Sequence, residues 1–255
     1  MASFQRFIRY AYRLPLIAWH AVIDLPIAVF LMLPIFHGVK VGHTSLEAWA
    51  VGWWSRGMMR IFGLRVKSIG VQSPVATLFV ANHVSWLDII ALHGTRLMGF
   101  VAKQEINGWP VVGWMARRGQ TIFHKRGSQD SLGGVLETMV RRLRTGRSVG
   151  AFPEGGTRNG TELGPFHARI FFAAVEAPAP VQPVAIQYGK DGASQSRIAF
   201  QKGESFGSNL WRLIGEPACD VEVHYLEPIQ PEAFNGRSGI ADTARARIAA
   251  ALGLS

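Results

Sequence analysis

A histidine and an aspartate stand five positions apart in the stretch Ala81–Asp88, between an apolar β-like run and a helical-looking one. An imidazole at such a strand exit can accept the proton of a hydroxyl group. The carboxylate of Asp88 can hold the ring of His83 in the right tautomer and stabilise the imidazolium that forms. A substrate that brings its own hydroxyl then needs no serine or cysteine nucleophile. The structural alternative is a capping asparagine at Asn82, a buried histidine and a first-turn aspartate.

A glycine-rich turn, residues 153–160, follows a second β-like run, Ser148–Phe152. Backbone N–H groups in such a turn can approach an anion closely. The hydroxyl of Thr157 and the planar, permanently charged guanidinium of Arg158 add further donors. This combination suits a phosphate monoester. The structural alternative is an ordinary turn with a surface arginine, and the Phe-Pro-Glu sequence after a β-like run argues against it.

Four stretches of the chain resemble, in the right order, the motifs of the glycerolipid acyltransferases, the family that includes 1-acylglycerol-3-phosphate acyltransferase. Residues 83–88 match its His-x-x-x-x-Asp motif, and residues 119–126 match the second block, which ends in an arginine. Residues 152–158 match the Phe-Pro-Glu-Gly-Thr-Arg block, and residues 181–186 match the fourth, strand-like block. The resemblance covers roughly residues 64–230.

The resemblance implies transfer of a fatty acyl group from a thioester to a glycerol hydroxyl, without an acyl-enzyme. His83 would be the general base, and Asp88 would orient it. The resemblance also implies that a set of substrate-binding residues holds the acceptor phosphate: Arg126, Glu154, Gly155, Thr157 and Arg158. No metal and no cofactor are expected, and acyl-CoA or acyl-carrier protein is the expected co-substrate.

Two blocks depart from the family pattern. A second glycine, Gly156, follows Gly155 where the family usually has one, and it could displace the threonine and arginine behind it by one step. His124 and Lys125 precede Arg126 where an apolar and an acidic residue are common. The second departure predicts a site that is more cationic than in typical members.

The acceptor that we expect is 1-acylglycerol-3-phosphate, which would give phosphatidic acid. The alternative is lyso-ornithine lipid or another lysolipid, because related bacterial enzymes acylate a hydroxy-fatty acyl group with the same His-x-x-x-x-Asp machinery. A phosphate turn weakened by Gly156 would favour this alternative.

Two further classes of function compete with acyl transfer. The sequence Gly-Glu-Ser-Phe-Gly at residues 203–207 fits the nucleophile elbow of a serine hydrolase, with Ser205 as nucleophile and Asp220 and His224 behind it. That triad would be squeezed into a short segment, and a glycine-rich chain produces chance matches. The other competitor is a membrane-surface protein without catalytic activity that binds anionic lipid. The joint presence of His83, Asp88, Glu154 and Arg126 argues against it.

Composition points to a membrane surface. The chain of 255 residues carries a net charge of +10, eight tryptophans and 48% hydrophobic residues. Such a charge implies anionic partners, and no nucleic-acid recognition motif is visible, so lipid head groups are expected and nucleic acid is not. The single cysteine, Cys219, excludes an intrachain disulfide and fits a reducing compartment.

The N-terminal segment predicts a membrane-associated helical hairpin. Residues 4–13 read as an interfacial amphipathic helix with three arginines, and a mostly apolar run, Leu14–Phe36, follows. His20, Asp24 and an internal proline make a clean span doubtful. We expect a helix that enters the membrane and returns, or lies in one leaflet, with residues 45–62 as its partner. The protein would sit on the cytoplasmic face, which is that of the inner membrane in a bacterium.

Beyond residue 63, short β-like runs alternate with helical ones, which indicates an α/β fold with a mixed, largely parallel sheet covered by helices. The expected strands are Leu64–Val71, Val75–Ala81, Gly99–Ala102, Thr121–His124, Ser148–Phe152, Val181–Ile186, Arg197–Gln201 and Val221–Tyr225. An apolar stripe at helical spacing predicts a helix over Ser128–Thr145. We therefore predict a membrane-associated segment at residues 1–63 and an acyltransferase domain at residues 64–255.

Overall fold

The structure is a computed structural model that describes residues 2–108, 112–124, 129–234 and 236–254. The chain forms two compact units. The first contains Met1–Lys67, Val84–Leu97 and Gln187–Glu222, and the second contains Ser68–His83, Met98–Ile186 and Val223–Ser255.

The described strands are β1 (Lys40–Val41), β2 (Thr44–Ser45), β3 (Leu64–Gly70), β4 (Leu78–Ala81), β5 (Gly99–Lys103), β6 (Ile122–His124), β7 (Val149–Ala151), β8 (Val181–Tyr188) and β9 (Cys219–Tyr225). The first two form a small antiparallel hairpin, and the other seven share one sheet in the order β3-β9-β8-β4-β7-β5-β6. Strand β4 runs parallel to β7 and β8, and β5 runs parallel to β6 and β7. The predicted α/β class with a largely parallel sheet is confirmed.

The described α-helices are α1 (Ala2–Trp19), α2 (Leu25–Leu31), α3 (Leu46–Ile61), α4 (Leu87–Thr95), α5 (Val112–Arg118), α6 (Gln129–Arg144), α7 (Phe172–Glu176), α8 (Gln195–Ile198), α9 (Phe206–Ile214) and α10 (Arg237–Leu252). The apolar stripe predicted for α6 is confirmed, because Val135, Met139 and Leu143 are buried in one cluster with the strand residues Leu78 and Val149. The first residue of the predicted range, Ser128, lies outside the described residues.

In the first unit, α1 continues through one turn of π-helix, His20–Asp24, into α2. The imidazole of His20 is buried there, with Nδ1 2.7 Å from Oδ2 of Asp24 and Nε2 2.9 Å from the carbonyl oxygen of Trp54 in α3. The two polar side chains that made a membrane span doubtful are therefore partnered with each other and with α3. Such a pairing lowers the cost of polar groups in an apolar helix.

The continuous helix Ser3–Leu31 is the one helix among the described residues that is long and apolar enough to cross a membrane. Most of this helix is exposed, and it carries a row of large apolar side chains: Phe4, Phe7, Ile8, Leu16, Trp19, Val22, Ile27 and Phe30. Exposed apolar surface of this extent is typical of a membrane or protein contact.

The basic residues of α1 do not all face outward as an interfacial helix would require. The side chain of Arg13 is buried, and its Nη1 donates to the carbonyl oxygens of Ile214 and Glu216, each 2.8 Å away. Arg9 donates to the carbonyl oxygen of Gly215. Two of the three arginines thus satisfy the backbone carbonyls at the end of α9, which corrects the interfacial interpretation of this face.

The strand predicted at Arg197–Gln201 is wrong. The chain forms the short helix α8 over Gln195–Ile198 and then turns away. The guanidinium of Arg212 donates to the carbonyl oxygens of Arg197 and Ala199, so those two acceptors are bound by a side chain. The β-like composition of this run could not reveal this.

Candidate active site

The end of strand β4 is fixed by Asn82. Its buried side-chain amide donates to the carbonyl oxygen of Ile186 and accepts from the N–H of the same residue, at 3.0 and 2.8 Å. The side chain therefore pairs with β8 as a backbone strand would and extends the ladder beyond Ala81. His83 follows at the carboxyl end of a parallel strand, the edge of an α/β sheet where ligands commonly bind.

Both backbone polar groups of His83 are bound by the glycine-rich turn. Its N–H donates to Oε1 of Glu154 at 2.8 Å, and its carbonyl oxygen accepts from the N–H of Arg158 at 2.7 Å. Its ring stacks on Phe152, with ring centroids 3.9 Å apart and an interplanar angle of 14°. Phe152 in turn stacks on Phe100. The predicted base and the predicted anion turn are thus brought together in the second unit.

The carboxylate of Glu154 faces inward and does not line an open surface. Its Oε2 accepts from the N–H of Gly164 at 2.9 Å, and the side chain is 1% exposed. Burial raises the pKa of this carboxyl group, and the N–H groups of Gly164 and His83 oppose that rise. Glu154 therefore binds the backbone N–H groups of His83 and Gly164.

The exposed residues of the turn are Gly155, Thr157, Arg158 and Asn159. Gly155 has φ +71°, which a residue with a side chain adopts only under strain, and a Cβ there would lie 3.2 Å from the ring of His167. The guanidinium of Arg158 lies over Gly164, with Nε 3.7 Å from Oε2 of Glu154. A partly exposed cation is thus available to an anion.

Asp88 lies in the first unit, fully buried in the first turn of α4. Its Oδ2 accepts from the N–H groups of Val84 and Ser85 at 2.7 and 2.9 Å. Its Oδ1 accepts from the hydroxyl of Tyr188 at 2.6 Å. The carboxylate therefore holds the two residues that follow His83 directly in the chain.

Tyr188 was not found by sequence reasoning, which placed the end of this strand at Ile186. The strand runs two residues further and buries the tyrosine completely. Burial, and then the nearby charge of Asp88, raises the pKa of the Tyr188 hydroxyl well above its ordinary value.

A second polar network holds Trp86, inside the His-x-x-x-x-Asp stretch. Its indole N–H donates to Oδ1 of buried Asn209 at 2.9 Å, and the Asn209 amide donates to Glu204. Arg212 donates to both carboxylate oxygens of Glu204, and chiefly these hydrogen bonds lower the pKa of Glu204 to about 2. The sequence carried no signal for the link to Trp86, because its partner Asn209 lies 123 residues further along the chain.

The serine-hydrolase alternative is wrong. Ser205 is the N-cap of α9, and its Oγ accepts from the N–H of Ser208 at 3.2 Å. The required preceding strand is the wrongly predicted Arg197–Gln201. Asp220 is paired with Arg65 at 2.6 Å. An ordinary helix cap explains this serine.

One predicted site residue, Arg126, lies outside the described residues. Over the part of the chain that the structure describes, no three His, Cys, Asp or Glu side chains form a group that could hold a metal ion.

Comparisons with known proteins identify the family and the fold of the chain. The family model described as Acyltransferase matches residues 66–187. Over 209 residues the chain is 35% identical to a lyso-ornithine lipid O-acyltransferase from Pseudomonas aeruginosa, and the match covers 82% of this chain and 80% of that protein. It is 33% identical to a 1-acyl-sn-glycerol-3-phosphate acyltransferase from Neisseria gonorrhoeae, over 64% of each chain. The crystal structure of the LPA acyltransferase PlsC from Thermotoga maritima superposes with a TM-score of 0.76 at 18% identity, covering 99% of this chain and 97% of that one, which confirms the fold.

Proposed function

This chain belongs to the acyltransferase family, and from that premise we propose that it transfers a fatty acyl group from a thioester to the free hydroxyl of a lysolipid. The observation that carries the proposal is the double backbone contact between His83 and the glycine-rich turn. It joins a proton acceptor to a turn that can bind an anionic head group.

In the proposed reaction, the imidazole of His83 takes the proton of the acceptor hydroxyl as its oxygen attacks the thioester carbonyl. The carbon–sulfur bond then breaks, and the thiol leaves with the proton that His83 returns. Asp88 orients the ring and stabilises the imidazolium. The stacking of His83 on Phe152 supports a fixed ring plane, which such a transfer needs.

The acceptor head group would be bound by Gly155, Thr157 and Arg158, together with Arg126. The inward position of Glu154 supports an indirect role for this residue, in which it holds the backbone of His83 and Gly164 in place for the head group. A carboxylate pointing at an anionic head group would repel it, so the inward orientation also favours anion binding.

Two acceptors are each supported by a specific observation. Lyso-ornithine lipid is supported by the relative from Pseudomonas aeruginosa, whose match spans most of both chains. 1-Acylglycerol-3-phosphate is supported by the relative from Neisseria gonorrhoeae and by the exposed glycine turn with its arginine, which suits a phosphate monoester. We place lyso-ornithine lipid first, which reverses the order expected from the sequence.

We further propose that the enzyme works on the cytoplasmic face of a membrane, with acyl-CoA or acyl-carrier protein as donor. The exposed apolar row on α1 and α2 would enter one leaflet, and the net charge of +10 would favour anionic lipid. This proposal extends the membrane association that the apolar helix and the lipid-acylating relatives suggest.

The test is an acceptor panel with purified enzyme in vesicles of mixed neutral and anionic lipid. Lyso-ornithine lipid, 1-acylglycerol-3-phosphate and a lysophospholipid with a zwitterionic head group are each offered with labelled acyl-CoA and with labelled acyl-carrier protein. We expect a diacylated product from at least one of the first two acceptors. No product from any pair would overturn the proposed function, and product from 1-acylglycerol-3-phosphate alone would overturn the order of acceptors.

A further inference from the structure

The hydroxyl of Tyr188 reaches Asp88 from a site a hundred residues further along the chain, and it donates to Oδ1 of this carboxylate. The two N–H groups on Oδ2 come from Val84 and Ser85, shortly before Asp88 in the chain. We propose that Tyr188 is a positioning residue of the acyl-transfer reaction, which sets the orientation of the Asp88 carboxylate through this hydrogen bond. The inference rests on the proposed function, in which Asp88 orients the base.

The tyrosine is held so that its hydroxyl cannot turn elsewhere. Its side chain is fully buried. Its backbone N–H donates to Oε1 of Gln195 at 3.1 Å, and its carbonyl oxygen accepts from the N–H of Ser194 at 2.9 Å. A buried side chain with both backbone groups bound has little freedom to move its hydroxyl away from Asp88.

The hydroxyl remains a donor throughout the working pH range. Because the pKa of Tyr188 lies well above its ordinary value, the hydroxyl keeps its proton near neutral pH. A short hydrogen bond from a neutral hydroxyl to a carboxylate is among the strong hydrogen bonds in proteins. It stabilises the ionised carboxylate in one rotamer without adding a charge.

Removal of this donor would act on the histidine through the carboxylate. Oδ1 would lose a short hydrogen bond inside the protein, where such a loss is costly, and the carboxylate would rotate or attract a water molecule. Oδ2 anchors the N–H groups of Val84 and Ser85, so such a rotation would also loosen the segment that follows His83. The effect should appear in the chemical step and not in the binding of the acceptor.

A packing role for the aromatic ring is the alternative, and Tyr188→Phe separates the two because it keeps the ring. We expect kcat to fall about ten- to hundredfold, which is the effect of losing a hydrogen bond to a charged group in the transition state. KM for the lysolipid should stay within about twofold of its original value. The matched control is Tyr225→Phe, which removes the hydroxyl of another buried tyrosine, in the second unit, and should keep kcat within about twofold.

A double-mutant cycle tests whether Tyr188 acts through Asp88. In the Asp88→Asn background, Tyr188→Phe should lower kcat by less than about threefold further, because the carboxylate it positions is gone. Independent, multiplied effects of the two substitutions would overturn the inference. If Tyr188→Phe does not fold, 3-fluorotyrosine at position 188 keeps the ring and changes only the acidity of the hydroxyl. A changed kcat would then support the inference, and an unchanged kcat would overturn it.

His83→Ala, measured in parallel, separates this inference from the proposed function. A fully active His83→Ala enzyme would overturn both the proposed mechanism and the proposed role of Tyr188. An inactive His83→Ala enzyme, together with a Tyr188→Phe enzyme at the original kcat, would sink only the role of Tyr188.

Discussion

The N–H of Arg158 donates to the carbonyl oxygen of His83 at 2.7 Å, and four residues earlier the carboxylate of Glu154 accepts from the N–H of the same histidine at 2.8 Å. The segment from Glu154 to Arg158 therefore binds both the N–H and the carbonyl oxygen of His83. Motifs that lie about seventy residues apart in the sequence are joined by backbone contacts, so the position of the histidine depends on the shape of the turn.

The first prediction concerns the base. His83→Ala should lower kcat for acyl transfer by about 10²–10⁴-fold while the protein stays folded, because the general base is lost and the backbone contacts remain. Initial rates with the preferred acceptor and thermal unfolding of the same preparation measure this. His43→Ala, at an exposed histidine, is the control and should keep the original rate. An enzyme that keeps its rate without the imidazole would rule out His83 as the base.

The second prediction concerns the pH dependence of stability at Glu154. Burial raises its pKa in the folded protein, so the unfolded chain loses this proton at a lower pH than the folded one does. The contribution of this group to the free energy of unfolding is full below the ordinary carboxyl value and declines as pH rises through the folded pKa. Glu154→Gln should abolish this decline.

Denaturant midpoints at several pH values above about 4, the ordinary range of a glutamate, compare the two proteins. The Gln variant should also have a lower kcat. Its amide nitrogen cannot accept a hydrogen bond, so the N–H of either His83 or Gly164 would lose its acceptor. Parallel pH profiles of stability would contradict a buried, perturbed carboxyl group at this position.

The third prediction concerns the turn. Gly155→Ala should cost about 1–2 kcal/mol of stability, because an alanine at φ +71° is strained, and it should raise KM for the acceptor because the methyl group would press on His167. Gly146→Ala is the matched control: it has φ +79° and open space around it, so it should cost similar stability. An equal change in KM for both variants would contradict a specific role of the turn at residue 155 in binding the acceptor.

The fourth prediction concerns the N-terminal helix. Arg13→Ala should destabilise the protein by at least about 2 kcal/mol, because the carbonyl oxygens of Ile214 and Glu216 lose a charged donor. Thermal unfolding in detergent measures the change. Arg6→Ala removes the same charge from an exposed position and should have little effect. Similar losses for both would mean that charge, and not the buried contact, stabilises the helix.

Local patterns were enough to predict much of this molecule. The spacing from His83 to Asp88 and the Phe-Pro-Glu-Gly turn are short-range signals, and the strand runs between them follow from apolar β-like composition. The stripe of α6 was readable because its period is that of a helix and its buried face is continuous. These features depend on neighbours in the sequence.

The rest depends on partners that are distant in the sequence. Tyr188 shows no local sign of its bond to Asp88, and a buried tyrosine at the end of a strand is an ordinary core residue. Arg9 and Arg13 have the spacing of an interfacial helix, and their acceptors lie about two hundred residues away. The carbonyls of the wrongly predicted strand are bound by Arg212 in the same way.

The π-helical turn at His20–Asp24 has a consequence for the exposed apolar face of the helix that it interrupts. A π turn contains one residue more than an α turn, so it rotates everything before it relative to everything after it by about 100°. Deleting any one residue there would restore a regular α-helix. The apolar face of α1 would then be rotated about the helix axis relative to that of α2. In homologous proteins, this extra residue should therefore be gained or lost only together with His20, whose imidazole it directs towards Trp54.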